Sequence, residues 1–290
     1  MSAHSIISVS PIAPVVLALA CAPAGDRNTN VAEKAAGTPA VVRLIATDHA
    51  YEALDMVSPG FIAFQVVNRG EEFHGATIVR LEDGRTLPEY IDAYDLAQRT
   101  HGARPVWAKF LGGAYAPPHA ESSATLYLEP GNYAWVCFAP GKDNRAHLLT
   151  HKQAHAFVVH PRSEDSRTSS APKATASLRL LDFSFEFGAP LTAGKHTIQV
   201  ENVGVEPHHV LMFKLAPGKT MADYQAWMQA NMDGEPPATF VSSMGELSTG
   251  AAGYTEVDLS AGDYVLVCLI TGRDDISHAA KGMVQHIRIG

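Results

Sequence analysis

Residues 262–283 read G-D-Y-V-L-V-C-L-I-T-G-R-D-D-I-S-H-A-A-K-G-M, and they contain three potential metal ligands, Cys268, His278 and Met283. A fourth, His208, lies upstream in the apolar run P-H-H-V-L-M-F. One thiolate, two imidazoles and one thioether make up the ligand set of a blue-copper electron-transfer site. The sequence therefore predicts that one copper ion binds between these four side chains in the second half of the chain.

The segments around these ligands are predicted to form β-strands. The valine-rich run 264–268 follows a turn at 260–263, and residues 181–187 alternate between apolar and polar side chains. Thr86 and Thr220 are each followed three positions later by an acidic residue, which is the spacing of a capping box. Several short strands separated by turns, with one short helix in each half, indicate an all-β protein built from Greek-key β-sandwiches.

The first half of the chain carries the same pattern as the second half. The run N-R-G-E-E-F-H at 68–74 matches N-V-G-V-E-P-H at 202–208, 134 positions later, and G-R-T-L-P-E-Y matches G-K-T-M-A-D-Y at the same offset. The segment L-E-P-G-N-Y-A-W-V-C, which ends at Cys137, matches L-S-A-G-D-Y-V-L-V-C, which ends at Cys268, 131 positions later. Because order, spacing and residue type all agree, the sequence predicts two tandem domains of one fold.

This repeat divides the chain into five predicted segments. An export signal and a polar tether precede the first sandwich, and a Ser- and Pro-rich linker separates it from the second sandwich. In chain order the predicted segments are residues 1–21, 22–40, 41–161, 162–176 and 177–290.

The N-terminus resembles the signal of a bacterial lipoprotein. Residues 9–20 form an apolar segment that is too short to span a bilayer, and the sequence L-A-L-A-C resembles a cleavage box in which Cys21 would carry the lipid. No Lys or Arg precedes this segment, so a plain secreted protein and a cytoplasmic protein stay open as alternatives. We expect an exported protein, in the periplasm or on the outer surface, without a transmembrane helix in the mature chain.

The composition argues against a nucleic-acid partner and against a disulfide framework. The 290 residues contain 22 Lys and Arg against 30 Asp and Glu, and a net charge of −8 argues against binding to nucleic acid. Three cysteines do not make a disulfide framework. Since Cys137 and Cys268 occupy equivalent places in separate predicted domains, no bridge between them is expected.

The first half contains a less complete ligand set. His74, Cys137 and His147 match three of the four predicted ligands, whereas Lys152 aligns with the thioether and is a poor copper ligand. His151, one position earlier, is a candidate for an axial ligand. A second copper site and a purely structural domain both stay open for the first half.

These motifs resemble those of the cupredoxins, the plastocyanin and azurin family of blue-copper proteins. The resemblance covers both predicted sandwiches, and it is most specific in P-H-H-V at 207–210, in G-D-Y-V-L-V-C before Leu269, and in H-A-A-K-G-M at 278–283. It implies type 1 copper held by His208, Cys268, His278 and Met283. Nine residues separate Cys268 from His278, more than in plastocyanin-like sites, and their R-D-D-I-S segment is expected to form a charged flap near the metal.

Three classes of function follow from this resemblance. The first is an exported electron carrier or copper-holding protein, whose redox partner the sequence does not identify. The second, a two-domain copper oxidoreductase, is disfavoured because neither Cys137 nor Cys268 has a histidine beside it and the chain contains no His-x-His pair. The third is a non-redox binding module on a cupredoxin scaffold, since a fold does not fix a function.

Overall fold

The computed structural model describes residues 31–32, 37–141, 143, 145–161, 169–230, 234–272 and 274–290. The predicted export signal, Cys21 and most of the predicted tether lie outside these described residues. So do residues 162–168 of the predicted linker.

Ten strands and two helices form the first half of the described chain. In order they are β1 (Val31–Ala32), β2 (Ala40–Ala46), β3 (Tyr51–Glu52), β4 (Met56–Val57), β5 (Gly60–Asn68), β6 (His74–Leu81), α1 (Leu87–Thr100), β7 (Ala108–Ala116), β8 (Glu121–Leu128), β9 (Gly131–Val136), α2 (His147–Thr150) and β10 (Ala154–Val159).

Eight strands and one helix form the second half of the described chain. They are β11 (Ala176–Leu181), β12 (Ser184–Phe187), β13 (Gly194–Asn202), β14 (His208–Leu215), α3 (Met221–Gln229), β15 (Ala238–Leu247), β16 (Ala252–Leu259), β17 (Gly262–Val267) and β18 (Val284–Ile289).

The strands form two sheets, and each sheet passes through both halves. One has the order β1-β2-β5-β8-β16-β13-β11-β12, with β3 beside β2, and the other has the order β18-β17-β14-β15-β7-β6-β9-β10-β4. The two sheets face each other across a common apolar core that contains residues from both halves, among them Leu44, Phe64 and Val200. The predicted all-β class, with packed β-sandwiches and short helical insertions, is confirmed.

The two halves meet where strands pair across the middle of each sheet. Strand β16 (Ala252–Leu259) pairs with β8, with Gly253 opposite Leu126, and β15 pairs with β7 through Leu247 opposite Leu111. A side chain at position 253 would collide with the Leu126 side chain, so the close approach of β16 and β8 requires a glycine there. The boundaries 41–161 and 177–290 stay a prediction, because the sheets do not stop between the halves.

Helices α1 and α3 begin directly after Thr86 and Thr220, the first residues of the two predicted capping boxes. Thr86 accepts a hydrogen bond from the backbone N–H of Glu89, whose carboxylate accepts one from the N–H of Thr86. Thr220 and Asp223 make the same reciprocal pair at the start of α3. Tyr224 of α3 is buried, so this helix packs against the common core.

The alternating run 181–187 is a hairpin and not the single strand that the alternation predicts. Strand β11 ends at Leu181, and β12 begins at Ser184 and pairs back onto it in antiparallel fashion. Phe183 lies in the turn with a φ of 67°, in the left-handed region. The turn places the Asp182 carboxylate within reach of the N–H groups of Val205 and Glu206, which both donate to it.

Within the described part of the chain, no helix has the length and apolar character needed to cross a membrane.

Candidate metal centre

Three of the four predicted second-half ligands converge on one point. His208, Cys268 and His278 are each fully buried, and their potential ligand atoms all lie within 4.8 Å of one another. The Nδ1 atoms of the two histidines are 3.0 Å apart, and Cys268 Sγ lies 3.5 Å from Nδ1 of His278. Two imidazole nitrogens and one sulfur therefore face a common centre.

Backbone hydrogen bonds hold the loop that carries these ligands. His208 is the first residue of β14, and Cys268 directly follows β17. The N–H of His278 donates to the carbonyl of Ile270 at 2.8 Å, which folds the loop back toward the cysteine. The loop is thus a closed unit that joins β17 to β18 and presents two ligands.

Met283 closes the same loop. Its N–H donates to the carbonyl of His278 at 2.8 Å, and its carbonyl accepts from the N–H of Cys268 at 3.1 Å. The side chain is fully buried. These contacts bring Met283 into the loop that carries the cysteine and one histidine, and its role as the fourth ligand stays a prediction.

The first half contains a second group of the same kind. His74, Cys137 and His147 are fully buried, and their ligand atoms also lie within 4.8 Å of one another. The two Nδ1 atoms are 3.2 Å apart, and Cys137 Sγ is 3.6 Å from Nδ1 of His147 and 3.9 Å from Nδ1 of His74. The first-half group therefore has nearly the same geometry as the second-half group.

Gln153, and not Lys152, occupies the position of Met283 in the first half. The N–H of Cys137 donates to the carbonyl of Gln153 at 3.1 Å, just as the N–H of Cys268 donates to Met283. The Gln153 side chain is 1% exposed, and its Oε1 has no hydrogen-bond partner among the described residues. Lys152 is exposed with a φ of 53°, so the loop is one residue longer here than the sequence alignment assumed.

His151 lies beside the first-half group with its ring stacked on that of His147, at a centroid distance of 5.0 Å. Its Nδ1 is hydrogen-bonded to the backbone carbonyl of Asp48, so this nitrogen already has a partner. With Glu72 and His147 it forms another group of potential ligands within 4.8 Å. The axial role of His151 stays a prediction, and the buried amide of Gln153 is a second candidate.

Each candidate histidine ligand is held from behind by a carboxylate. In the second half, Nε2 of His208 lies 2.9 Å from Asp182, and Nε2 of His278 lies 3.0 Å from Glu206. A carboxylate that accepts from Nε2–H fixes the tautomer in which Nδ1 carries the lone pair. The histidines are therefore oriented with their Nδ1 atoms free to bind a metal ion.

In the first half, Asp48 lies behind His74 at 3.0 Å in the same way, whereas Glu72 lies 2.9 Å from Nε2 of His147 without the geometry of a hydrogen bond. The sequence analysis missed all four carboxylates. Their positions do carry a signal, because both Asp48 and Glu72 have an acidic counterpart 134 positions later. That offset is the one that relates the first pair of repeated motifs.

Burial controls the ionisation of the candidate ligands. It raises the pKa of the Cys268 thiol to about 12 and that of the Cys137 thiol to about 11. Burial also lowers the pKa of His147 and of His278. Without a metal ion, burial therefore favours the neutral forms of both thiols and of the His147 and His278 imidazoles.

Each cysteine sulfur also accepts a hydrogen bond from the backbone. The N–H of Gly75 donates to Cys137 Sγ at 3.3 Å, and the N–H of His209 donates to Cys268 Sγ at 3.5 Å. Both cysteines are free thiols, as the sequence predicts. Such N–H groups stabilise a thiolate and tune the electronic properties of a metal bound to it.

The predicted charged flap contacts the first half of the chain. Asp275 pairs with His101, the residue that follows α1, at 2.7 Å, and Asp274 pairs with Lys281 at 2.9 Å. Lys281 Nζ in turn lies 4.6 Å from the ring centroid of Phe183. The flap therefore contacts both the end of α1 and the loop that carries His278.

The donor atoms of both groups suit copper. A thiolate with two imidazoles and a thioether is the soft set that copper prefers, and an amide oxygen can replace the thioether as a weak axial ligand. The Oε1 of Gln153 has no hydrogen-bond partner among the described residues, and such a role would give this buried acceptor one. The residues present thus fit a copper ion in either half.

Comparison with known proteins gives structural matches only. No protein-family model and no curated protein matches the sequence. Auracyanin A, a "blue" copper protein from Chloroflexus aurantiacus, is 13% identical with a TM-score of 0.31, and the match covers 42% of this chain and 99% of that one.

Auracyanin from Roseiflexus castenholzii is also 13% identical, with a TM-score of 0.29, and the match covers 39% of this chain and 94% of that one. A Cu-containing nitrite reductase from Thermus scotoductus is 12% identical with a TM-score of 0.23. That match covers 86% of this chain and 61% of the reductase. These proteins have the cupredoxin fold, which the sequence resemblance predicted for this chain.

Proposed function

We propose that this chain is an exported copper protein in which each half binds one type 1 copper ion and exchanges single electrons. The observation that carries the proposal is the presence of two buried groups, each with two Nδ1 atoms and one Sγ within 4.8 Å. When bound, copper supplies one-electron redox chemistry. The residues of the chain supply its ligands, exclude water and fix its geometry.

In the second half, His208, Cys268 and His278 would hold the copper ion, together with the thioether of Met283. In the first half, His74, Cys137 and His147 would hold the ion, together with the amide oxygen of Gln153. These are the sets that the donor chemistry favours.

The surroundings of both groups support fast electron exchange. The ligands lie at strand ends and on loops closed by backbone hydrogen bonds, and carboxylates hold the imidazoles from behind. Such a fixed environment keeps the ligand geometry nearly constant between oxidation states. Little reorganisation is then needed when one electron enters or leaves.

We also propose that the protein acts outside the cytoplasm, with residues 1–21 as its signal and Cys21 as a site of lipid attachment. The proposal rests on the sequence of the N-terminal segment. Mass spectrometry of the mature protein from membranes would show an acylated N-terminal Cys21 if this is correct.

A copper titration tests the main proposal. Adding Cu(II) to the purified protein should give two copper ions per chain and intense visible absorption from thiolate-to-copper charge transfer. Cys268→Ser should remove the band of one centre and Cys137→Ser that of the other, so each variant is the control for its counterpart. A protein that stays colourless would instead support a cupredoxin scaffold without a redox metal.

A further inference from the structure

Two buried aromatic side chains lie between the two candidate metal centres. Tyr115 belongs to β7 in the first half, and His209 belongs to β14 in the second half, next to the candidate ligand His208. Their rings contact each other edge to face, with centroids 6.1 Å apart. They are 4% and 6% exposed, so this contact between the halves is shielded from water.

On the first-half side, Tyr115 is connected to the candidate ligand Cys137 through Gly75. Tyr115 is the cross-strand partner of Gly75, and its ring fills the space that a side chain at position 75 would need. The N–H of Gly75 donates to Cys137 Sγ at 3.3 Å. The tyrosine ring therefore packs on the peptide that is hydrogen-bonded to the sulfur.

On the second-half side, His209 is joined to Cys268 in two ways. Its own N–H donates to Cys268 Sγ at 3.5 Å, and its ring Nε2 accepts from the N–H of Leu269 at 2.8 Å. Leu269 directly follows Cys268, so the imidazole is hydrogen-bonded to the backbone beside the sulfur. The other ring nitrogen, Nδ1, has no hydrogen-bond partner among the described residues.

We propose that the contact between Tyr115 and His209 is an electron bridge that connects the two copper centres within one chain. The bridge runs from Cys137 Sγ through the Gly75 peptide, the two rings and the Leu269 N–H to Cys268. This inference rests on the proposed function, because it requires a copper ion in each half. An electron bridge would explain why one chain contains two centres, because an electron that enters at one centre can leave at the other.

The axial positions give the transfer a direction. The thioether of Met283 is a soft donor that favours Cu(I), whereas the amide oxygen of Gln153 is a harder donor that favours Cu(II). One electron thus passes from Cu(I) in the first half to Cu(II) in the second half. The first ion is oxidised and the second reduced, and no bond is formed or broken and no proton is released.

Pulsed reduction of the copper-loaded full-length chain tests the bridge. A light pulse on a free flavin with a sacrificial donor generates a small amount of reductant, and the visible bands of the two centres are followed in time. The bands are assigned beforehand with Cys137→Ser and Cys268→Ser. We expect a phase in which the first-half centre is reoxidised as the second-half centre is reduced, at a rate independent of protein concentration.

Variants on the bridge identify the route. Tyr115→Leu and His209→Gln should each slow this phase by roughly tenfold. Tyr115→Phe keeps the ring and should leave the rate nearly unchanged. Gln can still accept from the Leu269 N–H, so His209→Gln removes the ring with little loss of the backbone contact. Tyr224→Leu, which removes a buried tyrosine from α3, is the matched control and should not alter the rate.

The outcomes separate the bridge from the proposed function. Two copper ions that exchange electrons only at a rate proportional to protein concentration would overturn the bridge and leave copper binding intact. An intramolecular phase that neither substitution slows would overturn this route. A chain that binds a single copper ion would overturn both proposals. If Tyr115→Leu does not fold, the rate in His209→Gln and the concentration dependence of the wild-type phase still decide whether the bridge exists.

Discussion

At the scale of single residues, Asp182 shows how one side chain serves both the fold and the candidate site. Its carboxylate accepts from the N–H groups of Val205 and Glu206, and it lies 2.9 Å from Nε2 of His208. The same carboxylate thus holds the loop before β14 and orients a candidate ligand. Asp48 has this double role in the first half.

Replacing Asp182 by Asn should weaken copper binding in the second half by about 10-fold to 100-fold, the effect typical of a residue behind a metal ligand. The neutral amide removes a negative charge that favours Cu(II), so the reduction potential of this centre should also rise. Competition with a copper chelator and a redox titration measure the two effects. Asp263→Asn is the matched control, because Asp263 pairs with the non-ligand His286 at 2.9 Å. Equal effects of both substitutions would argue against the role of Asp182.

The axial residues should set the difference in potential between the two centres. Gln153→Met should raise the potential of the first-half centre, and Met283→Gln should lower that of the second, because a thioether favours Cu(I). Met283→Leu should keep the visible band and raise the potential, because leucine provides no donor atom and the loss of a donor destabilises Cu(II) more than Cu(I). Redox titration of each band gives the values. A first-half potential that does not respond to Gln153→Met would contradict the axial assignment.

The candidate ligands could be predicted from sequence because their order and residue types match a known pattern. Gln153 could not, since one additional residue in its loop moves it past the aligned position, and only the hydrogen bond from Cys137 reveals the equivalence. The carboxylates were also missed. An acidic residue is common on protein surfaces, and its contact with a histidine is visible only in the folded chain.

At the scale of secondary-structure elements, local signals predicted helices better than strands. The capping boxes at Thr86 and Thr220 predict where α1 and α3 begin, because the interaction spans only three residues. The hairpin of β11 and β12 was not predicted, since its alternation of apolar and polar residues continues through the turn. Only two residues, Asp182 and Phe183, separate the two strands, and Phe183 has a positive φ.

Replacing Thr86 by Ala should lower the free energy of unfolding by about 1 kcal/mol, since the first turn of α1 loses its side-chain cap. Urea denaturation followed by circular dichroism measures this change. Thr86→Ser keeps the hydroxyl and should change the stability much less. If Thr86→Ala and Thr86→Ser are equally stable, the cap does not contribute as the structure indicates.

At the scale of the whole molecule, the two halves are joined by strand pairing and by a buried ion pair. Each sheet crosses from one half to the other, and Arg104 in the first half pairs with Glu246 in the second. The sequence predicted two sandwiches but not this junction. Pairing of β8 with β16 joins segments more than 100 residues apart, and neither strand carries a local signal for it.

Replacing Glu246 by Leu should reduce the free energy of unfolding by about 3 kcal/mol, because the Arg104 charge loses its partner in a largely buried position. That value is at the low end for a buried pair, since the Arg104 side chain is 22% exposed. Glu186→Leu, which breaks an exposed pair with Arg179, is the control and should cost less than about 1 kcal/mol. Similar losses in urea denaturation for both variants would contradict the importance of the junction.

The central claim is that each half of the chain binds one copper ion through two histidine Nδ1 atoms and one cysteine sulfur. Anomalous diffraction at the copper absorption edge, from crystals of the copper-loaded protein, tests it most directly. The account predicts two anomalous peaks, one bonded to His208, Cys268 and His278 and one bonded to His74, Cys137 and His147. Copper that binds only elsewhere on the protein, with both groups empty, would contradict it.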